Sequence, residues 1–285
     1  MGVPMSRLAA TIMLTAFGLL AWGSGAQETT GGYAGIPAPL LPGIGGHDPR
    51  IRVDPDAVPW RAVGKVQVAS VNFRAECTAT LIRQLTVVTA AHCLFNRRTG
   101  RYFSPESLHF LIGYHSGRYA GHAIGISVKI GDGYDPHRPK ETIGSDWALV
   151  FLDKSLGSPD RVLPMLNDLP KEGASAMLGG YQQDHPLILM ADTQCHIDGR
   201  FVDATGRLLL RHTCAGTRGV SGAPLLIDCG GGWHVAAIEV ASEIGIVGGA
   251  AVILNEAVKS ALMQGTKSLR SSPLRGARGE RSVAS

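Results

Sequence analysis

The sequence predicts an all-β protein, and three observations lead there. Gly 37 and Pro 16 make up nearly a fifth of the 285 residues, above the usual ~12%, which marks a chain rich in turns. No Gly-X-Y period accompanies them, so a collagen-like fibre is excluded. The chain between its two ends breaks into about twelve short apolar runs, spaced roughly ten residues apart and bounded by Gly, Pro, Asp or Asn, as antiparallel barrels and sandwiches require. With 45% hydrophobic and 18% charged residues, the chain can bury a core and is not disordered as a whole.

Taken in order, the expected strands of the first half are Lys65–Val71, Cys77–Arg83, Leu85–Ala90, Leu108–Ile112, His122–Ile130 and Trp147–Leu152. Those of the second half are Ala174–Leu178, Leu187–Ala191, Leu208–Leu210, Ala223–Ile227, Trp233–Ala241 and Ile246–Leu254. Most are rich in Val, Ile and Leu, which suit a pleated, buried surface. One helix is expected after them, with Asn255 as its cap and Val258, Ala261 and Leu262 on one face. No internal repeat of fixed period is present.

The ends differ from this body. Arg7, the fifteen-residue apolar stretch Leu8 to Trp22 and the small residues Ser24, Gly25 and Ala26 predict a secretory signal peptide over 1–26. The stretch is shorter than the ~20 residues a bilayer-spanning helix needs. Residues 27–43, rich in Gly and Pro, read as a leader or propeptide. Residues 266–285 carry Lys267, Arg270, Arg275, Arg278 and Arg281 against Glu280 alone, and read as a flexible basic tail. That tail accounts for the whole formal net charge of +4. The body is close to neutral, so a nucleic-acid-binding face is not expected. The mature protein is expected to be secreted or periplasmic, with no stable membrane anchor once the signal is removed.

Export fits the cysteines Cys77, Cys93, Cys195, Cys214 and Cys229, four of which can form two bridges in an oxidising compartment. Spacing alone does not fix the pairing. No pair has the Cys-x-x-Cys spacing of a zinc site, so no metal is expected.

Three segments carry chemistry: Thr89-Ala90-Ala91-His92-Cys93, Asp146-Trp147-Ala148-Leu149-Val150 and Gly219-Val220-Ser221-Gly222-Ala223-Pro224. A serine hydroxyl is a poor nucleophile at neutral pH and needs a base, a role suited to His. A carboxylate holds the imidazole in the right tautomer and stabilises its charged form. A glycine beside the serine lets backbone N–H groups converge on an oxyanion. Each piece alone is commonly structural; the ordered set, with a cysteine directly after the histidine, is specific.

On these residues the chain resembles the chymotrypsin-like (trypsin-fold) serine peptidases, and more closely the bacterial exported branch that includes glutamyl endopeptidases. The likeness covers about residues 44–265. Thr89–Cys93 is similar to the family's histidine motif, and Pro59-Trp60 with Val63-Gly64-Lys65-Val66 resembles its first strand. The resemblance implies two six-stranded antiparallel β-barrels, over 44–160 and 161–265, with the site in the cleft between them. It implies His92 as general base, Asp146 as its orienter, Ser221 as nucleophile, and the N–H groups of Gly219 and Ser221 as the oxyanion hole. It places Cys77 and Cys93 at the histidine-loop disulfide; Cys195 and Cys214 are the other expected disulfide cysteines, and Cys229 has no assigned role. No cofactor is implied, the partners are protein or peptide substrates, and oligomeric state stays open.

Two departures shape the expectation. Val220 stands where many members carry an Asp that pairs with a newly freed N-terminal amine, although Ile44-Gly45-Gly46 resembles such a terminus. Ala215 stands where trypsin-like members place the Asp of the substrate pocket. Glu239 falls near the position where glutamyl endopeptidases use a His to hold an acidic side chain. A carboxylate there favours Lys or Arg; the alternative is that Glu239 pairs with Arg218 and leaves a small neutral pocket. Two rival functions remain. An α/β-hydrolase needs Asp and then His after the serine, with helices between strands; here His234 is the one histidine after Ser221, and the strands lack intervening helices. A catalytically inactive binding protein on the same fold is the stronger rival.

Overall fold

The computed structural model describes residues 41–68 and 76–271. The expected signal peptide, most of the leader and the tail beyond 271 lie outside the described residues.

The first half holds β1 (Ile51–Arg52), β2 (Val63–Val68), β3 (Glu76–Arg83), β4 (Thr86–Thr89), β5 (Phe95–Asn96), β6 (Arg101–Tyr102), β7 (Leu108–Ile112), β8 (Gly121–Ile130) and β9 (Ala148–Leu152). The second holds β10 (Ser175–Gln182), β11 (His185–Val202), β12 (Leu208–His212), β13 (Pro224–Asp228), β14 (Trp233–Ser242) and β15 (Gly249–Ile253), followed by one helix, α1 (Glu256–Ser271). Setting aside the two-residue strands β1, β5 and β6, each expected strand has its counterpart, with residues 69–71 of the first lying outside the described residues.

In the first half, β2-β3-β4-β9-β8-β7 form a closed barrel. Its inner strands are apolar or β-branched throughout: β4 is Thr-Val-Val-Thr and β9 is Ala-Leu-Val-Phe-Leu, and both are wholly buried. The second half differs from the expected six-stranded barrel. It is a seven-stranded sheet, β1-β11-β10-β13-β14-β15-β12, whose ends meet through an added β11–β12 pairing. The seventh strand is β1, which pairs Ile51 with Ala191 and Arg52 with Met190. Residues 51–52 therefore serve the second half and not, as the expected 44–160 division has it, the first.

Several boundaries also shift. β11 runs far beyond Leu187–Ala191. Its later part buries Cys195, Ile197 and Gly199 and exposes Gln194, His196 and Arg200; that alternation with polar residues hides it from a search for apolar runs. β15 starts at Gly249 rather than Ile246, because Gly245 and Gly248 break the chain and leave Ile244 and Ile246 in solvent. α1 continues to Ser271 rather than giving way to a tail at 266; the first proline after it is Pro273, so nothing in 266–271 stops the helix. Its start is as expected: the Asn255 side chain accepts the Ala257 N–H at 3.0 Å. Val258, Ala261 and Leu262 are buried in a core shared with first-half residues such as Phe151 and Leu152.

Candidate active site

The sheet register brings the first two site residues together. β4 ends at Thr89 and β9 begins at Ala148, and these two residues are paired. The chain leaving β4 turns through a 3₁₀ segment, Ala91–Leu94, carrying His92. The chain entering β9 comes from another, Ile143–Ser145, with Asp146 at its end. One Asp146 oxygen accepts the His92 backbone N–H at 2.8 Å, and the other lies 2.6 Å from Nδ1. This double grip fixes the ring's direction, places a proton on Nδ1 and leaves Nε2 as acceptor. Asp146 is buried, whereas a quarter of the His92 side chain is open to solvent. Burial pulls the His92 pKa down; the Asp146 charge and hydrogen bond outweigh it, so the net shift is upward from 6.5.

Both turns are braced. Cys77–Cys93 is a disulfide, tying the His92 turn to β3. Asp203, in the second half, accepts the Gly144 N–H at 2.8 Å, and Arg207 hydrogen-bonds the Ser145 hydroxyl. Asp203 and Arg207 carry no sequence signal for this role.

Ser221 sits in the turn before β13, between Gly219 at φ +95° and Gly222 at φ +81°. The second position admits no side chain: a Cβ there would lie 2.3 Å from both Thr78 O and Thr89 Oγ1. The turn thus presses against the strand ends that lead to His92. Thr78 supplies the stitching. Its N–H donates to Ser221 O at 3.0 Å. Its hydroxyl donates to Gly219 O at 3.0 Å and accepts the Tyr181 N–H at 2.9 Å. Its carbonyl accepts the Thr89 hydroxyl at 2.8 Å. Thr78 follows Cys77 directly, and that adjacency is the signal that would have found it.

Within the turn, Val220 N–H donates to Thr217 O, Gly222 N–H to Glu239 O and Ala223 N–H to Val220 O. Among the described residues, no acceptor is paired with the N–H of Gly219 or Ser221, and the Ser221 hydroxyl makes no hydrogen bond. Contacts of a nucleophile with its base are commonly long until substrate is bound. Val220 is buried, with Gly216 packed against it.

The expected pocket residues are buried as well. Ala215 opens the loop, and its N–H donates to Asp192 Oδ2 at 2.9 Å. Glu239 is 2% exposed and pairs with His212, not with the exposed Arg218. His212 Nδ1 accepts the Cys214 N–H at 3.2 Å, so its proton sits on Nε2, 2.5 Å from Glu239 Oε2. Burial pushes the Glu239 carboxyl up from its usual range, against the opposing pull of His212. His212 was not legible as a partner, because it lies 27 residues away. The second expected disulfide, Cys195–Cys214, joins β11 to this loop, and Cys229 is free and exposed. One cluster of described residues has metal-ligand types within reach, Cys77, His92 and Cys93; both sulfurs are committed to their bridge.

The closed barrel, the second ring of strands and the residues gathered between them define the chymotrypsin-like class of serine peptidases. The chain belongs to the trypsin family, whose model matches residues 52–249. Trypsin zeta from Drosophila erecta is 22% identical over 167 residues, covering 53% of this chain and 57% of that protein, so the match spans just over half the relative's length. A Glu endopeptidase solved in complex with MPD superposes at a TM-score of 0.63 with 16% identity, covering 79% of this chain and 99% of that one. The thermostable serine protease AL20 from an extremophilic microorganism gives 0.57 with 19% identity, covering 73% and 97%. At these identities the structural likeness establishes the fold alone.

Proposed function

We propose that the protein is a serine endopeptidase acting through an acyl-enzyme on Ser221. The observation that carries this is the double hydrogen bond of Asp146 to His92, set against a turn whose Gly219 and Ser221 N–H groups are unpaired. His92 Nε2 takes the Ser221 proton as Oγ attacks the scissile carbonyl. The carbonyl oxygen becomes an oxyanion held by Gly219 and Ser221 N–H. His92 then gives its proton to the leaving amine, and water, activated by the same nitrogen, frees the acid. Ala215 and the Glu239–His212 pair lie at the pocket base. When ionised, the Glu239 carboxylate would favour Lys or Arg before the cleaved bond over Asp or Glu.

The protein is proposed to be exported, with 1–26 as signal, 27–43 as leader and a basic end after the helix. Two disulfides support an oxidising destination. No helix among the described residues is long and apolar enough to cross a membrane.

The test is peptide-library cleavage read by mass spectrometry, mature wild type beside Ser221→Ala, together with labelling by a serine-directed phosphonate. Cleavage and labelling by wild type alone support the reading. Absence of both in folded wild type assigns the chain to binding on a peptidase fold. A basic preference that survives Glu239→Gln removes Glu239 from the pocket.

A further inference from the structure

The loop from Cys214 to Gly222 holds the pocket base, the nucleophile and the proposed oxyanion donors, yet Arg218 is its only charged side chain. It is held from outside. Ala215 is tied to Asp192, and Cys214 to His212. The tie at its centre is Thr217, whose N–H donates to Gln182 Oε1 at 2.8 Å. Thr217 O in turn accepts the Val220 N–H, the bond that closes the turn displaying Gly219 and Ser221. Next to it, Gln183 N–H donates to Arg218 O at 2.7 Å.

Gln182 Oε1 has a second donor, Arg50 at 2.6 Å. The Arg50 side chain is 1% exposed, and its five N–H groups are all engaged. Asp48 takes Nε at 2.9 Å and one terminal nitrogen at 2.8 Å. Asp184 takes both terminal nitrogens, at 3.2 and 2.5 Å. One guanidinium thus carries two forked carboxylates and still reaches Gln182. Its effect on Gln182 is directional. An amide presents oxygen or nitrogen to a neighbour with little difference in shape. With Arg50 donating, oxygen must face it, and the same oxygen is then available to Thr217. Turned the other way, the Gln182 amide would set N–H groups against both Arg50 and the Thr217 N–H.

We propose that Arg50 is a positioning residue for the oxyanion hole: acting through Gln182 on Thr217, it fixes the turn that presents the Gly219 and Ser221 N–H groups, with no contribution from a freed N-terminal amine. The inference rests on the proposed role of those two N–H groups. It also assigns a purpose to the segment Asp48–Arg50, which carried no signal in the sequence.

Arg50→Met would leave two carboxylates bare and risks unfolding. The decisive variant is Gln182→Met, which keeps the Arg50 ion pairs and removes the shared acceptor, along with the longer Gln182 Nε2–H to Met190 O bond at 3.5 Å; Arg50→Lys, which keeps charge without the fork, is its companion. Steady-state kinetics on a peptide substrate and amide hydrogen exchange over 214–222 are measured on folded protein. The expected result for Gln182→Met is a loss in kcat of roughly 10²-fold, the scale of one oxyanion donor, with KM changed by less than about threefold. Exchange quickens over 214–222 while β3 keeps its protection. A folded Gln182→Met with wild-type kcat and wild-type exchange overturns the inference. If wild type itself shows no turnover, the peptidase reading fails, and the exchange comparison still decides whether Gln182 holds the loop.

Discussion

The two halves build their shares of the site by different means. The barrel presents His92 and Asp146 from the ends of adjacent paired strands, so the same backbone register that closes the barrel sets their distance. The second half presents Ser221 from a loop. Its position comes from single hydrogen bonds to Thr78, Asp192, Gln182, Gln183 and Glu239, which are scattered over both halves. A site residue at a strand end inherits its precision from the sheet. One on a loop must be given precision by side chains chosen for it, and each of those is a separate point of failure.

The largest expected effect falls on the strand-end pair. Asp146→Asn keeps the shape but lets the amide donate to Nδ1, which turns the His92 proton toward Ser221; kcat should fall by roughly 10⁴-fold. The same pair sets the pH profile. His92 must be unprotonated to act as base, and its pKa is raised above 6.5, so the acid limb of kcat/KM should lie above pH 6.5 in wild type. A limb below 6.5 would mean that burial, and not Asp146, controls the ring.

Two smaller changes separate the halves. Replacing Cys77 and Cys93 with Ala removes a bridge spanning 16 residues, worth roughly 3 kcal/mol in the loop-entropy account. Denaturant unfolding should show that loss, while kcat on the remaining folded protein changes little, because the β4–β9 pairing still sets the His92–Asp146 distance. Thr78→Val should do the opposite. Stability falls by roughly 1–3 kcal/mol for leaving the buried Tyr181 N–H unpaired. Activity drops by about ten- to a hundredfold, because the Gly219 peptide loses a bond that aims it. Equal loss of activity in both would erase the distinction between register-set and bond-set residues.

The same distinction explains what could be read from the sequence. The His92–Asp146 contact was legible, and Ser221 could be proposed beside it, because each sits in a short motif whose residue order is itself the signal. Strands β3, β4 and β9 were legible as apolar runs. The later part of β11 was not, since its buried residues alternate with polar ones. The braces were illegible for a deeper reason: Arg50 reaches Gln182 and Asp184 across more than 130 residues, and His212 reaches Glu239 across 27. Nothing local in a chain marks one polar residue as the future partner of another. The alternative pairing of Glu239 with Arg218 shows the cost, since the residue that meets Glu239 is His212.

That buried pair yields the smallest effect and the finest test. Burial raises the folded-state pKa of Glu239 above its ordinary 4.5. The folded protein therefore binds this proton more tightly than the unfolded chain, and the associated stability is complete below about pH 4.5. It is lost as pH rises through the raised folded value. Glu239→Gln removes this dependence while keeping an oxygen for the His212 Nε2–H. The melting temperature of the variant relative to wild type should thus rise between pH 4 and pH 8, with the two curves closest to their acid-side spacing below about pH 4.5. A difference that stays flat with pH would mean that Glu239 keeps its charge without penalty, and that His212 compensates its burial as fully as Asp48 and Asp184 compensate Arg50. In that case the Glu239 site, like the loop from Cys214 to Gly222, would be held by fully matched polar contacts and not by strained ones.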